Sequence, residues 1–100
     1  MYGAIRTYRV TDVGELTTAV RDEFIPLVRD IPGFVAYYVV DSGGGTVSSI
    51  TICEDKAGVD ASTARAKDWV QERLSSLIES GPEIKTGEIV ADHARVGATT

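Results

Sequence analysis

The chain has 100 residues, 43% of them hydrophobic and 25% charged, which points to one globular domain with a modest core and excludes disorder and a two-domain plan. Its formal net charge is −5 and its basic residues are scattered from Arg6 to Arg95, so no nucleic-acid footprint and no membrane-docking patch is expected. Cys53 is the only cysteine, which excludes an internal disulfide and a thiolate metal cage and fits a reducing compartment. No signal-like segment opens the sequence and its longest apolar run, residues 34–40, is far too short to span a bilayer, so the expected location is the cytoplasm.

Residues 2–10 read as a strand, with Tyr2, Ile5, Tyr8 and Val10 among polar neighbours. Asp12 then offers an N-cap with Glu15 three residues on. Val13, Leu16, Val20, Phe24, Leu27 and Ile31 follow at helical steps and predict a helix to about Arg29. Pro26 lies within that pattern and is expected to kink or shorten the last turns. Pro32-Gly33 reads as a turn, residues 34–41 as a strand, Ser42-Gly43-Gly44-Gly45 as a hairpin loop and residues 46–54 as the next strand. The glycine loop opens a strand rather than a helix, which is the wrong setting for a phosphate loop. A second helix is predicted over 57–79, with Val59, Thr63, Ala66, Val70, Leu74 and Leu77 as its inner stripe. Ser80-Gly81-Pro82 reads as its stop signal. A last strand follows over 83–92.

The order β-α-β-β-α-β is the ferredoxin-like pattern: α+β, with both helices on one face of a four-stranded antiparallel sheet. Residues 1–93 form this domain, and 94–100 read as a flexible tail of small residues. By parity, Ile5, Val35, Tyr37, Val39, Ile50, Ile52, Ile89 and Ala91 are assigned to the helix side. The opposite set includes Ala4, Arg6, Tyr8, Phe34, Tyr38, Val40, Val47, Ser49, Thr51, Cys53 and Glu88. That set is too apolar to face water. A second copy of the sheet is the economical cover, giving a homodimer about a two-fold axis in which two sheets pair as a barrel.

A charge such as Arg6 at an inward position needs a partner. Glu88 or Glu54 would pair with it structurally; functionally, its guanidinium would bind an anionic or enolate oxygen. Tyr8, Tyr37 and Tyr38 would pack with their hydroxyls satisfied, or donate a hydrogen bond to a ligand carbonyl. Trp69, on the edge of the second helix's stripe, would cover the helix–sheet seam or form a stacking wall for a flat ligand. His93 would serve as a general base only if it packed back onto the domain. No metal-ligand spacing is present.

With these segments placed, the sequence resembles the antibiotic-biosynthesis-monooxygenase-like group of the dimeric α+β barrel superfamily. The residues that carry the resemblance are Ile31-Pro32-Gly33-Phe34-Val35-Ala36-Tyr37-Tyr38, Thr51-Ile52-Cys53-Glu54-Asp55, Ala66-Lys67-Asp68-Trp69-Val70 and Gly87-Glu88-Ile89-Val90. The resemblance spans about residues 2–92. It implies a homodimer related to cofactor-independent monooxygenases, binding or oxidising a small aromatic or quinone-like molecule with no cofactor. The tentative ligand contacts are Arg6, Tyr8, Tyr37, Tyr38 and Trp69. Haem-degrading members use an Asn on the first strand and a His ligand to iron; this chain has no Asn and His93 follows the last strand, which points away from haem. The alternative is a non-catalytic dimeric binding or accessory module with no open site. Whether Phe24, Tyr37 and Trp69 fill the helix–sheet space or leave it hollow separates the two.

Overall fold

The computed structural model describes residues 1–94, so all but the first residue of the expected tail lies outside the described residues. Strand β1 (Tyr2–Val10) leads to a first helix over residues 13–28, then β2 (Phe34–Gly43), β3 (Thr46–Cys53), a second helix over residues 56–74, and β4 (Ile78–Glu88). The sheet order is β2-β3-β1-β4, and every neighbouring pair is antiparallel. This is the ferredoxin-like α+β fold expected from the element order.

Both helices start on side-chain caps. The Glu15 amide donates to Asp12 Oδ1 at 3.0 Å, and the Gly58 amide to Asp55 Oδ1 at 2.9 Å, each satisfying a donor that the first turn leaves free. Gly58 also lets the second helix approach β3, because a Cβ there would stand 2.7 Å from that of Cys53.

The first helix absorbs Pro26 without breaking. It is α-helical over Val13–Ala19, widens to a π-helical turn over Val20–Phe24, and resumes as α-helix over Ile25–Val28. The Ile25 amide bonds to the Val20 carbonyl, five residues back. A proline ring clashes with the carbonyl four residues earlier in a regular helix, and the wider turn relieves that crowding. The second helix also ends in a π-helical turn, Val70–Leu74.

Two expectations are corrected here. The second helix ends at Leu74 rather than near Glu79, and Gly81 and Pro82 lie inside β4 rather than at a helix stop. Gly81 adopts φ +103°, and a Cβ on it would meet the Thr7 carbonyl oxygen at 2.7 Å. The β1–β4 register shifts at this point, between Thr7 and Arg9. A residue without Cβ and a residue without N–H are tolerated in a strand where the ladder is already irregular and the strand lies at the sheet edge.

The parity of the sheet is also corrected. Ala4, Arg6, Tyr8 and Val10 of β1 and Val47, Ser49, Thr51 and Cys53 of β3 are the buried residues beneath the helices. Ile5, paired with Ile50, is 42% exposed on the other face. On β2 a register shift between Phe34 and Ala36 puts Phe34, Tyr37 and Val39 on the helix side. Tyr37 and Val39 are therefore where the pattern put them, while Val35 is exposed at the irregularity. The outer face carries Ile5, Ile50, Ile52, Ala36, Tyr38 and Val40, with Ile89 beside Gly3.

Candidate functional site

The reversed parity places Arg6 under the second helix, where it is only 1% exposed. Four of its N–H donors are engaged, all by neutral hydroxyls. Nε donates to Ser49 Oγ at 3.2 Å, one terminal nitrogen to Ser62 Oγ at 3.2 Å and Thr63 Oγ1 at 3.0 Å, and the other to Thr51 Oγ1 at 2.7 Å. A guanidinium carries five donors, so one remains. The expected ion pairs do not form. Glu88 stands opposite Tyr2 rather than Arg6, and among the described residues no carboxylate lies within ion-pairing distance of Arg6. The hydroxyls satisfy hydrogen bonds but leave the buried positive charge unneutralised, a costly arrangement for a fold to keep for structure alone.

Two tyrosines stand beside this charge. Burial pushes the Tyr8 phenol above its ordinary value, with Arg6 pulling the other way. Burial pushes Tyr37 up to about 12, again opposed by Arg6. Both are therefore neutral hydroxyls at physiological pH, able to donate.

The helix–sheet space divides into two parts. On one side Phe24 packs between Tyr37 and Trp69, with ring centroids 5.4 and 5.1 Å away. The void they enclose with Tyr8, Val47 and Val70 holds only about 30 Å³, far below the range of small-molecule sites. Trp69 is buried; its indole Nε1 donates to Glu23 Oε1 at 3.2 Å. Arg73 grips the same carboxylate, at 2.9 Å to Oε1 and 3.3 Å to Oε2. Hydrogen bonds from Arg73, then from Trp69, hold Glu23 below the usual carboxylate range. This clamp ties the π-helical turn of the first helix to that of the second.

On the other side, between the second helix and β1 and β4, a cavity of about 410 Å³ opens over Arg6 and Tyr8. It falls in the range of small-molecule sites, roughly 300–1,000 Å³. Thr63, Lys67, Val70 and Gln71 line its helical wall, and Gly81, Pro82 and Ile84 its wall on β4. Tyr8 and Val70 border both this cavity and the filled void.

The residues singled out from sequence thus separate. Arg6 and Tyr8 line the cavity; Tyr37 and Trp69 stand behind it in the aromatic packing. Tyr38 is 48% exposed on the outer face of the sheet, apart from this group. His93 is exposed beyond β4 and lines none of these spaces. Sequence reading missed Lys67 and Gln71. Their signal was the four-residue spacing from Thr63, which puts all three on one edge of the helix.

No family model matches the sequence, and no curated protein is similar to it. Solved structures do match. The fold is similar to a protein of unknown function, NE2512, from Nitrosomonas europaea, at TM-score 0.80 and 18% identity over 96% of this chain and 95% of that one. It is similar to the ActVA-Orf6 monooxygenase of Streptomyces coelicolor, solved in complex with nanaomycin D, at TM-score 0.72 and 19% identity over 94% and 91%. It is similar to SnoaB, a cofactor-independent oxygenase from Streptomyces nogalater, at TM-score 0.70 and 13% identity over 91% and 94%. The fold is similar to that of these two oxygenases and of an antibiotic biosynthesis monooxygenase from Chloroflexus aurantiacus. At these identities the likeness is one of fold, and activity has to be argued from the site. Among the described residues, the space over Arg6 brings together a buried cation, a phenol, a lysine and an amide. Among the described residues no helix is long and apolar enough to cross a membrane.

Proposed function

We propose that the chain binds a small planar aromatic or quinone-like molecule over Arg6 and Tyr8, as its phenolate or enolate, and passes it to dioxygen without a cofactor. The observation that carries this is the Arg6 guanidinium: buried, held by four hydroxyls, and facing a cavity with no carboxylate to neutralise it. A preorganised cation of this kind stabilises an oxyanion as it develops. Tyr8 donates to a second ligand oxygen, Val70, Pro82 and Ile84 hold the ring, and Tyr37 and Trp69 back the wall. The likeness in fold to a monooxygenase complexed with nanaomycin D and to a cofactor-independent oxygenase supports the same reading.

For an anthrone-type substrate the reaction balances without a cofactor. The ring methylene loses two hydrogens and gains one oxygen atom of O₂ as the new carbonyl, and the other oxygen leaves as water. The protein's part is to hold the enolate that reacts. Dioxygen uptake with anthrone, and its conversion to anthraquinone, measure this directly. Arg6→Met should reduce turnover about a hundredfold, the scale seen when an oxyanion donor is removed. Binding is read separately with the dihydroxyanthraquinone aloe-emodin, through quenching of the single tryptophan, Trp69, and the red-shifted absorption of the bound phenolate. No saturable quenching by quinones, flavonoids or haem would overturn the small-molecule reading.

A non-catalytic binding module is the second reading. What favours it is the lining itself, which offers no imidazole and no carboxylate to take a proton. Saturable dye binding with no dioxygen uptake would decide for it.

The working unit in either case is a cytoplasmic homodimer. The apolar outer face, with Ile5, Tyr38 and Val40 each more than 40% exposed, would be covered by a second copy. Sedimentation should give twice the 10.7 kDa of one chain, and Ile50→Glu should shift it to the single subunit. A folded single subunit at micromolar concentration would remove the dimer.

A further inference from the structure

We infer that the second copy packs with the two-fold axis along the strands, laying β2 of each subunit over β4 of the other, so that Tyr38 enters a hollow on the partner's face. This rests on the dimer proposed above and decides what that reading leaves open, which edge of one sheet meets which edge of the other.

The register sorts the outer face into rows that run across the sheet from β2 to β4. One row is Ala36, Ile52, Gly3 and Gly87. The next is Tyr38, Ile50, Ile5 and Lys85, and the third is Val40, Ser48, Thr7 and Glu83. The first two are apolar apart from Lys85. The third is mostly polar, with the Thr7 and Ser48 hydroxyls hydrogen-bonded at 2.9 Å. The face is also uneven from edge to edge. On β2, Tyr38 and Val40 project, 48% and 47% exposed. On β4, Gly87 stands beside Gly3 with no side chain on either, and a Cβ on Gly87 would meet nothing within 4 Å. A hollow of about 420 Å³ lies there, walled by Ile5, Ile50, Ile52 and Ile89 with Lys85 at its rim.

Two facing sheets related by a two-fold axis either cross or keep their strands aligned, with the axis across or along them. An axis across the strands sets β2 on β2. The projecting tyrosines then collide and two hollows face each other, which leaves apolar space unfilled. Crossed sheets overlap the apolar rows only at their centre. An axis along the strands turns the sheet order over, so that β2 lies on β4 and β3 on β1. Each row then meets its own copy, apolar on apolar and polar on polar, and the high edge covers the low one. Facing sheets stand about 10 Å apart, and a tyrosine set against glycine spans most of that gap. The charges agree with this partner. The three rows hold one acid, Glu83, which lies 3.7 Å from Lys85, so a chain of net charge −5 meets its copy with no net charge on either face.

In this arrangement Ala36 lies opposite Gly87 of the partner subunit, and crosslinking tests it. Ala36→Cys and Gly87→Cys chains, mixed, allowed to exchange and treated with a short bismaleimide, should form a crosslinked pair. Ala36→Cys alone should not, and Cys53 is buried and does not compete. Sedimentation supplies a second measurement. Tyr38→Ala should weaken the dimer about tenfold, the scale of one anchoring aromatic, and Gly87→Leu, which fills the hollow, should do likewise. The two together should lose less than the sum, because the leucine occupies space that the tyrosine leaves. No crosslink in the mixture, crosslinking of Ala36→Cys with itself, or an unchanged dimer in Tyr38→Ala overturns this arrangement and leaves the dimer standing. A single subunit in the wild type overturns both.

Discussion

Around Phe24 the helices and sheet meet in solid aromatic packing; over Arg6 and Ile84, on the same side of the same sheet, they stand apart. The first region follows the ordinary rule that the interior is apolar and close-packed. The second breaks it twice, with a buried charge that has no counter-charge and an isoleucine left 46% exposed on the helix side. A domain this small has little stability to spare, and this departure from packing is the ground on which the proposed function stands. The filled region holds the open one in shape, because Tyr8 and Val70 belong to both.

That contrast can be broken experimentally. Phe24→Ala should have the largest effect, about 3–5 kcal/mol of stability by urea unfolding, because Phe24 is 1% exposed between Tyr37 and Trp69. Gln71→Ala, across the open cavity, should stay within about 0.5 kcal/mol; comparable losses would show that the two regions pack alike. Arg6→Met should weaken ligand binding strongly while lowering the urea midpoint less than Phe24→Ala does, since the buried charge is removed but the hydroxyls that held it lose their donor. A large loss of stability there would make Arg6 a structural residue. The alkaline limb comes next. Tyr37 has a folded-state pKa raised from 10.0 to about 12, so the unfolded chain loses its proton first. Its contribution is whole below pH 10 and disappears as pH climbs toward 12, at up to about 1.4 kcal/mol per pH unit. Tyr37→Phe should flatten that decline in unfolding curves taken between pH 9 and 12. The smallest effect belongs to the exposed clamp: Glu23→Gln should shift Trp69 emission while barely moving the urea midpoint.

The fold was legible because its signals are local. The alternation in β1, the Asp12 cap and the turn at Pro32-Gly33 each specify a boundary without knowledge of the rest of the chain. The second helix and β4 were misread at one place, Gly81-Pro82, because those residues announce a backbone irregularity without saying whether it ends a helix or bends a strand. The face assignment failed for a different reason. Ile5, Ile50 and Ile52 are bulkier than Ala4, Ser49 and Thr51, and bulk suggests the interior. The helix side needs small residues where the second helix comes close, as at Gly58 against Cys53, and hydroxyls where Arg6 must be held. Arg6 and Tyr8 were legible as candidates from type and strand position. Lys67 and Gln71 were not, because a polar helix edge looks the same in sequence whether it borders solvent or a cavity.

The ring of serines and threonines around Arg6 has one more consequence. Hydroxyls do not ionise between acid and mild alkali, so the field at the floor of the cavity stays constant where a carboxylate-paired arginine would change as its partner took up a proton. The acid limb of any binding or turnover profile then belongs to the small molecule rather than to the protein. Exchanging one dye for a more acidic one should slide the whole curve by the difference in the dyes' own ionisation constants.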